Sequence, residues 1–172
     1  MPLEVVVDTS FAVEVLSPRQ PLHIPCRAFM ERMSVAGTTL HFNRLLNMEL
    51  AEALYQIALR ERHRTDWRRF RHDGRARRRA NRLLQRADAA WTSLLTAFSF
   101  AVYDLAEVSG RVPGLMTAYG LGSYDAVHAA TAIESGVNRI VTLDTAFASL
   151  PQSLLAVYTN ASRVPTCRQR RS

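Results

Sequence analysis

Four carboxylates in this chain occupy positions from which they could act together. Asp8 follows the run Val5-Val6-Val7, Asp144 follows Ile140-Val141-Thr142-Leu143, and Asp125 lies in the first turn of a helix opened by Gly122-Ser123. If the apolar runs are parallel strands, these aspartates gather at the carboxyl ends of the sheet, where open α/β folds bind their ligands. Singly, each reads equally well as a helix N-cap, since a short carboxylate satisfies the orphan N–H groups of a first turn and the positive end of its dipole. Glu49 is placed differently. On a helix over Leu45–Arg60, Leu46, Leu50, Ala53 and Ile57 share a narrow arc, and Glu49 lies about 60° from Leu46, at the edge of that stripe. A carboxylate there needs a cation or hydrogen-bond donors. Glu52, near 120°, is expected on the surface.

Three aspartates with Glu49 leaning toward them would form an all-oxygen pocket of charge up to −4. Such a pocket requires raised pKa values or bound hard divalent ions, and oxygen-only ligation suits Mg²⁺ or Mn²⁺. Ions of this kind activate water and offset charge on a leaving phosphate oxygen, so that neither a side-chain nucleophile nor a histidine base is needed. The histidines are uninformative in sequence. His128, three residues after Asp125, is placed either near the pocket or, as the favoured reading, as a packed or solvated helix histidine, and His23, His41, His63 and His72 have no metal-ligand spacing. The glycine motifs of phosphate-binding loops and dinucleotide folds, and the serine elbow of hydrolases, are absent.

The elements needed to position these residues are legible as alternating periodicities. Strands are expected at Glu4–Val7, Thr38–Phe42, Phe98–Tyr103, Arg139–Leu143 and Leu155–Tyr158. Helices are expected at Phe11–Leu16, Cys26–Val35, Leu45–Arg60, Ala76–Leu95, parts of Leu105–Tyr119 with a break at Val112-Pro113-Gly114, and Ser123–Glu134. Strands separated by helices predict an α/β fold: a three-layer α/β/α sandwich around a mainly parallel five-stranded sheet.

A chain of 172 residues, 48% apolar, fits one domain that can bury a core without staples. We expect that domain over residues 1–160, with a basic tail at 161–172. Cys26 and Cys167 form no paired motif, which argues against a zinc cluster or disulfide framework and suits a reducing compartment, the cytoplasm. No secretory leader or membrane span is apparent. The net charge of +7 is an average over unlike parts. Between Arg60 and Arg86 stand twelve arginines and three acids, a local charge of +9, which leaves −2 for the remainder.

Taken in order, several blocks resemble the PIN-domain ribonucleases, most closely the VapC-type toxins of bacterial toxin–antitoxin pairs. They are the opening Val-Val-Val-Asp8-Thr9-Ser10, the stretch Asn47-Met48-Glu49-Leu50-Ala51-Glu52-Ala53-Leu54, the run from Tyr119 through Ser123-Tyr124-Asp125-Ala126-Val127-His128 to Ala132, and Ile140-Val141-Thr142-Leu143-Asp144-Thr145-Ala146-Phe147. The resemblance implies a PIN-like sandwich, Mg²⁺- or Mn²⁺-dependent endoribonuclease activity on RNA, neutralisation by a small antitoxin and frequent homodimerisation. It assigns Asp8, Glu49, Asp125 and Asp144 to the metal-binding acidic cluster, with Asp8 and Asp125 as the surest ligands, and gives Thr9 and Thr142 supporting roles in orienting carboxylates or water. The chain departs from the pattern at Ala146, where many relatives carry a further acid. That departure is what most favours the alternative, a non-catalytic RNA-binding or regulatory PIN-like module.

The basic helical segment, at about 60–92, has no close counterpart in the resemblance. Gly74 is expected to divide it into two helices, placing Arg75, Arg77, Arg78 and Arg79 at the start of the second, where cations oppose the helix dipole and an anionic partner would reverse the cost. We expect these four to contact RNA, with Trp67 and Phe70 either stacking on unpaired bases or packing inward. Contact with the antitoxin and a plain solvated face are the alternatives.

Overall fold

The computed structural model describes residues 1–160, so the expected basic tail lies outside the described residues. Five strands form one sheet: β1 (Glu4–Val7), β2 (Thr39–Asn43), β3 (Phe100–Tyr103), β4 (Arg139–Val141) and β5 (Ala156–Tyr158). Their order is β3-β2-β1-β4-β5 and every pairing is parallel, with Val6 opposite His41 on one side and Ile140 on the other. All strands therefore end at the same edge.

The helices are α1 (Thr9–Leu16), α2 (His23–Val35), α3 (Leu45–His63), α4 (Gly74–Leu95), α5 (Leu105–Val108), α6 (Val112–Tyr119) and α7 (Ser123–Glu134), with short 3-10 turns at Arg64–Phe70, Ser109–Arg111 and Thr145–Ser149. They cover both faces, and β1 shows why. Val5 and Val7 point into a core formed with Phe11, Met30, Met33 and Trp91, while Val6 points the other way, toward Ala126, Ala129, Leu115 and Phe147. Each of these three valines is fully enclosed, and burial of such a side chain stabilises by about 1.5–3 kcal/mol. A strand apolar on both faces is what a central parallel strand requires. The expected α/β/α sandwich is the observed fold.

α7 packs over β1 and β2. Its buried face is alanine at 126, 129, 130 and 132, all without solvent exposure, so the helix lies close to the sheet and its first turn is brought to the strand ends.

One expected break falls elsewhere. The interruption in 105–119 is the 3-10 turn at Ser109–Arg111, whereas Val112-Pro113-Gly114 opens α6. Proline is tolerated in a first turn, where its missing N–H has no intrahelical acceptor. In the basic segment α3 ends at His63, Arg64 takes φ +49°, a 3-10 turn follows, and Asp73 caps α4 by accepting the Ala76 N–H (2.6 Å). The second helix thus begins at Gly74 as expected, with Arg75, Arg77, Arg78 and Arg79 at its start, and Asp73 is the residue that caps it.

Because α7 seats on methyl groups, enlarging one of them should be felt both in stability and at the strand ends. Ala129→Leu is expected to cost about 1–3 kcal/mol through overpacking, read as a lowered urea midpoint. A wild-type midpoint would contradict the close seating of α7.

Candidate active site

Each acidic residue is delivered by a different element. Asp8 leaves β1 and caps α1, its main-chain N–H still bonded to Val141 O (3.1 Å). Asp144 follows β4 and caps the 3-10 turn at Thr145–Ser149. Asp125 projects from the first turn of α7 and Glu49 from α3. All four line one cleft of about 800 Å³, shared with Glu14, Glu52 and Arg60, with Met48 and Tyr124 exposed at its rim. The N-cap reading of Asp8 and Asp144 and the site reading thus hold together.

In three of these carboxylates one oxygen is anchored by short-range donors. Asp8 Oδ2 accepts the Ser10 N–H (3.2 Å), the Ser10 hydroxyl and the Thr142 hydroxyl (2.7 Å). Glu49 Oε2 accepts the Thr9 hydroxyl and the His128 Nε2–H, both at 2.6 Å. Asp144 Oδ1 accepts the Ala146 N–H (2.8 Å), and its own N–H donates to Thr142 Oγ1 (2.9 Å). Thr9 and Thr142, singled out in sequence, are thus in direct contact with Glu49 and Asp8. Beside Asp125, space is set by Gly122: a Cβ there would stand 3.0 Å from Asp125 Oδ2.

His128 is wholly buried, as a packed helix histidine would be, yet it also belongs to this site. Its Nε2 lies 2.6 Å from Glu49 Oε2 and 3.6 Å from Asp8 Oδ1. Burial pushes its pKa down, but the hydrogen bond with Glu49 and the charges of Asp8, Glu49 and Asp125 push it up by more, and the carboxylate contact places a proton on Nε2. Asn43 fixes the other side of the ring. Its Oδ1 accepts the Leu45 N–H (2.9 Å), which turns its amide N–H groups toward Thr131 Oγ1 (3.0 Å) and His128 Nδ1 (3.3 Å). Sequence reasoning misses Ser10 and Asn43 and favours an ordinary helix residue at His128 over one near the pocket. The available signals were position at a strand exit for Asn43 and spacing from Asp8 and Asp125 for the other two.

Asp125 carries the strongest electrostatic mark. Burial raises its carboxyl pKa, the charges of Asp144 and Asp8 raise it further, and it reaches about 6. Among the described residues no three acidic, histidine or cysteine side chains stand in a preformed metal cage. The donor set nevertheless has the chemistry of a hard-cation site: oxygen only, converging on one cleft, with charges that repel one another.

Other expectations fared differently. Glu52 is exposed, as expected, and also lines the cleft, paired with Arg71 (3.1 Å). Trp67 is buried against Leu59 and Ala76, with the guanidinium groups of Arg60 and Arg68 over its ring at 4.9 and 4.8 Å, so it packs inward rather than offering a face to a base. Phe70 is partly exposed and stacks on His63. Arg75, Arg77 and Arg78 are exposed on α4, and Arg79 pairs with Glu61 (3.3 Å); none of the four lines the cleft.

A parallel α/β/α sandwich with four acids converging beyond its strand ends defines a class, that of folds with an acidic strand-end centre. Within that class, the chain belongs to the PIN domain family, whose profile matches residues 5–152 and whose members are generally nucleases. No curated protein sequence matches the chain. Among solved structures it is similar to a chain of VapBC2 from Rickettsia felis, crystallised bound to a DNA fragment from their promoter, with 14% identity and TM-score 0.56 over 91% of this chain and 98% of that one. It is similar also to PAE2754 from Pyrobaculum aerophilum, with 21% identity and TM-score 0.54 over 97% of this chain and 90% of that one. Both share its fold. Among the described residues, no helix is long and apolar enough to cross a membrane.

An acid whose pKa climbs from 3.8 to about 6 on folding destabilises the native state by an amount that is absent below about pH 4 and complete above about pH 6. Asp125→Asn is therefore expected to stabilise the fold near neutral pH by about 1 kcal/mol after allowance for solvent screening, seen as a raised melting temperature, with the gain vanishing at about pH 4. A gain independent of pH in thermal melts would show that repulsion at this carboxyl is not its source.

Proposed function

We propose that this protein is a VapC-like toxin that hydrolyses RNA phosphodiester bonds endonucleolytically with Mg²⁺ or Mn²⁺ and is neutralised by a small antitoxin. The observation that carries this reading is the convergence of Asp8, Glu49, Asp125 and Asp144 from four separate elements onto one cleft, in a chain of a family whose members are generally nucleases. The similarity to a chain of VapBC2, which was crystallised with promoter DNA, supports the toxin–antitoxin setting. The working oligomer on this reading is a homodimer, and the compartment is the cytoplasm.

Asp8 and Asp125 are the principal holders of the ion, with Asp144 and Glu49 completing the set. When bound, the ion supplies Lewis acidity that lowers the pKa of water and offsets charge on the phosphodiester. The chain's own residues do the positioning. Thr142 and Ser10 hold Asp8 by one oxygen, Thr9 and His128 hold Glu49 by one oxygen, and Asn43 sets the face that His128 presents. These bonds keep like charges at fixed separation before any ligand arrives, so little reorganisation is left for the reaction. Arg75, Arg77, Arg78 and Arg79 extend the RNA-binding surface beyond the cleft and act on backbone charge rather than on the cleaved bond.

Cleavage of total RNA by the purified protein is expected to require Mg²⁺ or Mn²⁺, to stop in excess EDTA and to be lost in Asp8→Asn. Cleavage persisting in either case would overturn the metal mechanism; binding without cleavage by wild type would leave an RNA-binding module. The triple change of Arg77, Arg78 and Arg79 to Gln is expected to weaken RNA binding across sequences and lower the salt slope by about two to three. An unchanged slope in a salt titration would remove α4 from the binding surface.

A further inference from the structure

The cleft continues past the carboxylates, along α3. Glu49, Glu52, Ala53, Gln56 and Arg60 all line it, at spacings of three, four, seven and eleven residues from Glu49 that return to one face of a helix. Three turns separate the first from the last, about 16 Å along the axis. The cleft is thus a trough with two unlike ends: Asp8, Glu49, Asp125 and Asp144 at one, and Arg60 with Gln56 at the other.

Among the described residues lining this trough, Arg60 is the one cation facing six carboxylates. It nevertheless pairs with none of them, nor with any other described acid. Glu52, two turns back, is taken by Arg71 (3.1 and 3.3 Å), and Glu61, the next residue, by Arg19 and Arg79 (3.4 and 3.3 Å). The Arg60 guanidinium is held instead by neutral partners. It donates to Gln56 Oε1 (3.1 Å) and lies over the buried Trp67 ring at 4.9 Å, while Gln56 Nε2 donates to Glu52 Oε1 (3.1 Å). A guanidinium carries five N–H donors in a rigid fork that matches a phosphate. One fixed by an aromatic face and a single amide keeps its charge and most of those donors for an incoming anion.

We infer that Arg60 is a positioning residue that grips a phosphate of the RNA strand a few nucleotides from the bond being cleaved, so that the strand runs along α3 from the acidic end of the trough to its basic end. This rests on the nuclease reading above for the nature of the strand. The physical need is local: the four carboxylates converging at one end of the trough repel nucleic acid there, and a fixed cation at the far end offsets that repulsion and sets the direction of entry. Arg60 differs in this from the arginines of α4, which stand outside the trough and bear on backbone charge generally.

The test uses the full chain and a fluorescein-labelled single-stranded RNA of mixed sequence. In EDTA, fluorescence anisotropy over a salt series is expected to show Arg60→Gln binding about tenfold more weakly than wild type, with a salt slope lower by about one. Arg60→Lys should restore the slope and only part of the affinity, because it returns the charge without the fork. With Mn²⁺ present, the preference of the enzyme for this strand over a dinucleotide, as a ratio of kcat/KM, should fall about tenfold in Arg60→Gln. Wild-type affinity and slope in Arg60→Gln would overturn the clamp, as would a wild type that does not bind the RNA. A lowered melting temperature with an unaltered slope would overturn it too, by making Arg60 a cover for Trp67. The nuclease reading stands or falls separately, on whether wild type with Mn²⁺ cuts the strand at all.

Discussion

Holding like charges close together is the constraint around which this molecule is organised. Four carboxylates meet at one edge of the sheet, and the cost shows at Asp125, whose pKa rises to about 6 under burial and the charges of Asp144 and Asp8. The fold accommodates the set by meeting the charges with fixed dipoles. Asp8 and Asp144 double as helix caps and take main-chain N–H groups, two hydroxyls close on Asp8, and Glu49 is held between Thr9 and a buried histidine proton. Charge-assisted hydrogen bonds of this sort are roughly twice as strong as neutral ones.

The architecture supplies the remainder. An all-parallel sheet sends every strand exit to one edge, so residues far apart in the chain, such as Asp8 and Thr142, become hydrogen-bonded neighbours. The polyalanine face of α7 lets that helix approach β1 and β2, bringing Asp125 and His128 to the same edge. Glycine at 122 leaves room for the Asp125 carboxylate. Packing of the apolar core and assembly of the polar cluster are therefore one event: the alanines that fill the interior also determine how close the charges come.

The basic segment follows a different logic. α3 and α4 form a helical hairpin whose interior is Leu59, Trp67 and Ala76 near its turn and Leu50, Leu54 and Ala87 nearer the sheet. Its arginines are then divided by geometry: some pair with the few local acids, some lie over Trp67, and Arg60 alone among them faces the acidic trough. A charge count over the segment treats them alike; their positions do not.

By itself the sequence determined the strands, the long helices and the four acids, because burial on both faces leaves unbroken valine and isoleucine runs, because a half-buried helix leaves a period near 3.6, and because an aspartate after a strand is conspicuous. It also carried the family resemblance. Tertiary structure alone decided which polar residues complete the site. Asn43 and His128 look like ordinary strand and helix residues until the parallel sheet and α7 bring them within 3.3 Å of each other. It also decided that Trp67 packs inward and that Arg60 rather than the arginines of α4 lines the trough. Periodicity reports which face of an element is apolar, a property of near neighbours in the chain. Which polar groups meet depends on how whole elements are seated against one another, and that is settled by packing.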